Sequence, residues 1–112
     1  MTNSKIKYSE TTKLPNNFFV EQSVLNILLT NPTLIENTLA KLKTEYFYFE
    51  PHSIIFNAIS HLANQQFSLN ITTLISYLQD KQELETIGGL QRIINIVNRF
   101  ENFSDLESYI NL

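Results

Sequence analysis

The chain has 112 residues and a mass of 13.0 kDa, which fits one domain. A domain of this size removes roughly 65% of the unfolded chain's accessible surface from water. With 43% hydrophobic and 17% charged residues it lies in the globular range, far from the disordered signature. A formal charge of -3 gives no general attraction to a nucleic-acid backbone, the lack of cysteine excludes disulfide and thiolate chemistry, and no apolar run approaches the roughly 18 residues of a membrane-spanning helix.

Residues 1–14 are polar, carry Lys5, Lys7 and Lys13, and read as an N-terminal tail without the apolar core of a signal peptide. The expected domain runs over 15–112. Pro15 ends the tail, and Asn17 is placed to cap a first helix to about Leu29, striped by Val20, Val24, Ile27 and Leu28 and widened by Leu25 and Leu29. A second helix is expected at "NPT", with Asn31 as cap and Pro32 in the first helical position, or with Thr33 and Glu36 as a capping box. Leu34, Ile35, Leu39 and Leu42 form its stripe.

The aromatic run Tyr46 to Phe49 interrupts, and Pro51 opens a third helix in which Ile55, Phe56, Ile59 and Leu62 recur at helical spacing. Asn70 is placed to cap a fourth, buried through Ile71, Leu74, Ile75 and Leu78. A fifth carries Leu90, Ile93, Ile94, Val97 and Phe100 on one side. Ser104 and Glu107 form the capping box of a short sixth helix that buries Leu106, Tyr109 and Ile110. Nothing alternates like a strand. The fold class is therefore all-α, a compact orthogonal bundle of about six helices.

Both glycines of the chain, Gly88 and Gly89, stand together before the fifth helix. A phosphate loop needs spaced glycines, a following Lys and a preceding strand. Here Leu90 and Gln91 follow and a helix precedes, so the pair reads as a structural turn: one glycine at positive φ, the other allowing close approach. His52 and His61 lie nine residues apart on one helix, too far round it to grip one metal, and read as partly buried or surface side chains. Glu83, Glu85, Asp105 and Glu107 fall near helix starts, where the dipole favours negative charge.

No catalytic, cofactor or metal-ligating set is legible. Arg92 and Arg99 share a helix face with Asn95 between them; this is a solvated face or an interface with an acidic partner, and the outer side of the fourth helix around Tyr77 is a second candidate face. The aromatic run lacks the interleaved basic residues of a base-stacking platform and reads as core.

Several stretches together resemble one family, the N-terminal domain of the replicative hexameric DNA helicases of bacteria and plastids, the DnaB type. "LPNNFFVEQSVLNILL" resembles its opening through Leu14, Pro15, Asn17, Glu21, Gln22, Val24 and Leu25. "EYFYFEPHSIIFNAISHL" is similar to its central signature through Phe47, Tyr48, His52, Ile55, Phe56, Ala58 and Ile59. Thr73, Leu74, Leu78, Leu84, Ile87, Gly88 and Gly89 match a third stretch, and Tyr109 fits a tyrosine near the domain's end. Phe19, Asn26 and Asn70 depart from the pattern, as does "NRFENFSD", which lacks the usual small, proline-containing linkage.

The resemblance implies an assembly module that pairs with copies of itself in a collar on the helicase ring and docks primase. It implies contact with DNA only through the whole helicase, and ATP and Mg only in a following RecA-like motor domain, so the chain is expected to be a piece of a longer protein. A plastid stroma or bacterial cytoplasm is the implied location, and the excess of Asn, Ile, Lys, Phe and Tyr is what AT-rich codons impose. The competing readings are a stand-alone helical adaptor, or a primase-type module that binds the helicase.

Overall fold

A computed structural model describes residues 18–65 and 69–98. They form five α-helices and no strand: α1 (Phe18–Thr30), α2 (Ile35–Leu39), α3 (Glu50–Asn64), α4 (Ile71–Asp80) and α5 (Leu90–Val97). Single 3-10 turns, Pro32–Leu34 and Thr44–Tyr46, precede α2 and α3. The tail, the Asn17 cap, Arg99, Phe100 and the expected sixth helix from Ser104 lie outside the described residues.

Helix α1 departs from the expected one-sided stripe. Every residue from Glu21 to Leu29 is buried, including the polar Glu21, Gln22, Ser23 and Asn26. A helix with no solvent face belongs in a core rather than on a surface. It packs against α5, α3 and the first 3-10 turn, while α3 in turn carries α4, α2 and the second 3-10 turn.

The second segment is broken where one helix is expected. Asn31 does not cap it: its amide turns back and donates to the Ile27 carbonyl at 3.1 Å, satisfying the end of α1. Neither does Thr33 with Glu36, since α2 has no side-chain cap. Pro32 does stand at the start of the 3-10 turn.

Helix α3 buries Ile55, Phe56, Ile59 and Leu62 as its spacing predicts. Phe47 is buried and stacks on Phe56, ring centroids 4.7 Å apart, so the aromatic run does feed the core. Tyr48 is the exception and stays exposed. At α4, Asn70 and Thr73 form a reciprocal capping box: Thr73 N–H donates to Asn70 Oδ1 at 2.9 Å and Asn70 N–H to Thr73 Oγ1 at 3.0 Å. Leu74 and Leu78 are buried there, but Ile71 is exposed and Ile75 only half-buried.

The connection from α4 to α5 ends two successive turns in the same way. Helix α4 closes with Glu83 N–H donating to Leu78 O and Gln82 N–H to Gln79 O, with Gln82 in the left-handed region at φ 59°. A single helical turn comes next and closes alike, with Gly89 N–H donating to Leu84 O and Gly88 N–H to Glu85 O. Gly88 has φ 108° and Gly89 φ 76° with ψ -173°. Both glycines therefore serve positive φ, a correction to the expectation that only one of them does. The Gly89 pair of angles is essentially restricted to glycine. Glu83 and Glu85 lie in this connection rather than at a helix start.

Helix α5 is rotated by roughly 60° from the expected orientation, at 3.6 residues per turn. Ile93 and Ile96 are fully buried, while Leu90 and Ile94 face outward. Replacing Gly88 or Gly89 by Val should lower stability by on the order of 1 to 3 kcal/mol, through strain at positive φ. At Gly88 a Cβ would also meet Arg92 Nε at 3.2 Å. Urea denaturation measures this, and an unchanged midpoint for both variants would contradict it.

Candidate functional site

The polar residues buried in α1 organise the junctions of the bundle. Glu21 stands in the first turn of α1, and its carboxylate reaches the start of α3. Tyr48 N–H donates to Oε2 at 2.7 Å, Phe49 N–H to Oε1 at 3.3 Å, and His52 Nδ1 lies 2.9 Å from Oε1. A carboxylate only accepts, so His52 carries its proton on Nδ1 toward Glu21. The residue at the N-cap of α3 is Phe49, which has no capping side chain of its own. A carboxylate from another helix takes that role, and it sits where the helix dipole favours negative charge.

His52 is completely buried, against the expectation of a partly buried or surface histidine. The rings of Phe18 and Phe49 flank it, each centroid 4.8 Å from the imidazole, and they touch each other edge-on at 4.9 Å. Its Nε2 has no hydrogen-bond partner among the described residues. The imidazole is thus held from one side by Glu21 and enclosed by aromatic carbon on others.

Arg92 continues the cluster toward α5. Its Nε donates to the Ile87 carbonyl at 2.9 Å, folding the side chain over the Gly88 turn, and its guanidinium carbon lies 5.1 Å from the Phe49 ring centroid. The two glycines and Arg92 therefore meet in one place, and Arg92 fastens the turn to the start of α3. At the other end of α5, the Asn26 amide donates to the Ile96 carbonyl at 2.9 Å and the Val97 carbonyl at 3.3 Å, satisfying groups a helix end leaves open. These two anchors set the rotation of α5.

The remaining residues expected to face a partner are not gathered into one site. Asn95 lies on the exposed side of α5, where Gln91 Nε2 donates to its Oδ1 at 2.8 Å. Tyr77 of α4 is half-buried, with its ring 5.0 Å from the His61 ring of α3 and Lys81 Nζ 5.8 Å from its centroid. Arg99 is outside the described residues. No group of three or more His, Cys, Asp or Glu side chains suited to a metal occurs among the described residues, and no helix there is long and apolar enough to cross a membrane.

Sequence reasoning missed the roles of Glu21 and Asn26. The available signal was their place inside "FFVEQSVLNILLT", a helix with apolar residues on every side and a single charge.

The arrangement defines a small helical domain whose buried polar side chains tie its helices together. The model of the family described as DnaB-like helicase N terminal domain matches residues 13–112, and the chain belongs to that family. It is 37% identical over 99 residues to a probable replicative DNA helicase of Trieres chinensis, a match covering 88% of this chain and 22% of the relative. To the replicative DNA helicase DnaB of a Synechocystis strain it is 27% identical over 85 residues, covering 76% of the chain and 10% of the relative. The chain thus spans less than a quarter of the length of these relatives. In fold it is similar to the crystal structure of the N-terminal domain of DnaB helicase from Mycobacterium tuberculosis, with a TM-score of 0.79 at 23% identity over 88% of this chain and 72% of that one.

Replacing Glu21 by Ala would leave two amides and the buried imidazole without their acceptor. The loss should be about 1 to 3 kcal/mol for each buried donor left unsatisfied. Glu21→Gln should cost less, since one oxygen still accepts. Guanidinium denaturation of both variants checks this, and a loss in Glu21→Ala no larger than that of an exposed substitution would refute it.

Proposed function

We propose that this chain is the assembly and primase-docking domain of a replicative DNA helicase, with strand separation and ATP hydrolysis carried out by a motor domain elsewhere in the full protein. The observation that carries this reading is the family match over nearly the whole chain. The geometry agrees with it: the buried polar groups are used to join helices, and the glycine pair terminates a helical turn rather than cradling a phosphate.

In this division of labour the domain holds no cofactor, ATP and Mg belong to the motor, and DNA is met only through the assembled helicase. Self-pairing and primase contact use separate outer faces. Tyr77 on α4, exposed on one side and supported by His61 on the other, is the favoured position for primase. Arg92 supports the fold, and Asn95 faces outward on α5. The setting is a bacterial cytoplasm or a plastid stroma, in keeping with the AT-rich composition.

Calorimetric titration of the folded domain with the primase of the same genome tests the reading. Binding is expected, Tyr77→Ala should weaken it at a temperature where the variant is still fully folded, and ATP with Mg should give no micromolar binding. A folded domain that ignores primase would remove the docking role. ATP bound in the micromolar range would overturn the division of labour.

A further inference from the structure

The first 3-10 turn, α2, the last turn of α3 and Leu69 ahead of α4 leave an open cavity of about 260 Å³ between them. Ile35 and Leu69 are buried and make its floor with the half-buried Ala63, while Pro32, Thr33 and Glu36 stand exposed at its rim. The lining is thus four apolar side chains, one hydroxyl and one carboxylate, with no basic group. Sites for drug-sized ligands run from roughly 300 to 1,000 Å³, so this one has room for a single side chain rather than a cofactor.

Two features of negative sign meet at the cavity. Among the described residues no hydrogen bond or ion pair engages the Glu36 carboxylate. Ala63 belongs to the last turn of the 15-residue α3, where the helix dipole favours a cation. The helix's own basic residue in that turn, His61, is instead set against the Tyr77 ring of α4, 5.0 Å away. The net charge of -3 acts in the same direction.

We propose that this cavity binds a lysine side chain of a partner protein, its methylene stem lying on Ile35, Ala63 and Leu69 and its ammonium group meeting Glu36 and the carboxyl end of α3. Size, shape and charge select that occupant together. An anion is repelled by Glu36, and a wholly apolar side chain would strip water from the carboxylate with nothing to replace it. An arginine guanidinium gains most from a bidentate acceptor with an aromatic face to stack on, and the cavity has no aromatic wall. A lysine carries a thin apolar stem that covers carbon surface and a compact charge at its end. The site is separate from Tyr77, and it holds whichever protein brings the lysine.

NMR titration of the full chain with Nα-acetyl-lysine amide, followed at the methyl groups of Ile35, Ala63 and Leu69, tests this. Those methyls should shift together and saturably, with a dissociation constant in the millimolar range. The same compound acetylated on Nζ keeps the stem and loses the charge, and should bind several-fold more weakly. Glu36→Gln should weaken the lysine amide by about threefold to fivefold, the scale of an exposed ion pair, and Glu36→Lys should abolish the shifts. Glu36 is exposed, so both variants should keep the native helical circular dichroism.

Equal binding of the charged and acetylated compounds, or undiminished binding in Glu36→Gln, would overturn the proposal. If n-butylammonium binds and the lysine amide does not, the cavity takes a free amine and a protein partner is ruled out as the source. If the lysine amide binds only after residues 1–14 are removed, a lysine of the chain's own first segment is the occupant, and the partner falls in that case too.

Discussion

The Glu21 carboxylate is the interaction on which the bundle's arrangement depends. It comes from the first turn of α1 and ends on the two amides that open α3 and on the imidazole one turn into α3, so it fixes the position of one helix against the other. An isolated helix start would normally be capped by its own Ser, Thr, Asp or Asn. Because α3 starts at Phe49 with no such side chain, its beginning is specified by tertiary structure. His52, Phe18 and Phe49 close around the carboxylate, and Arg92 reaches the same aromatic ring from α5. Three helices thus meet at one polar point inside an apolar core.

Much of this was legible in the sequence where local chemistry decided it. Asn70 caps α4 because Thr73 stands at the spacing that lets each side chain bond the other's backbone. Ile55, Phe56, Ile59 and Leu62 recur at the helical period and are buried. Where a distant residue decided the outcome, local reading failed. Asn31 has the chemistry of a cap for the second helix and instead closes α1. The orientation of α5 is misjudged from sequence because Leu90, Ile93, Ile94 and Val97 make an acceptable stripe by themselves. Arg92 and Asn26, acting from outside that stripe, turn the helix so that Ile96 goes in and Leu90 comes out.

The candidate site was less legible than the fold for the same reason. Tyr77, Arg92 and Asn95 read as outward residues, and Arg92 also donates its Nε to the glycine turn, a bond that the sequence did not announce. The face that α5 does turn outward carries Leu90 and Ile94 beside Gln91 and Asn95, which a search for charge overlooks. The family resemblance did include Glu21 and His52 among its matching positions, and the geometry supplies a physical reason for that pairing, with one residue accepting from the other across 31 positions of sequence.

The central claim is that Glu21, from another helix, starts α3. Hydrogen exchange of the Tyr48 and Phe49 amides, read by NMR on the native chain, measures it most directly. Both N–H groups stand ahead of the first intrahelical bonds and would exchange freely in a helix with an open end. Held by Glu21, they should exchange as slowly as the amides in the middle of α3, and in Glu21→Ala the protection should fall sharply at these two positions. Exchange at unprotected rates in the native protein would contradict the account.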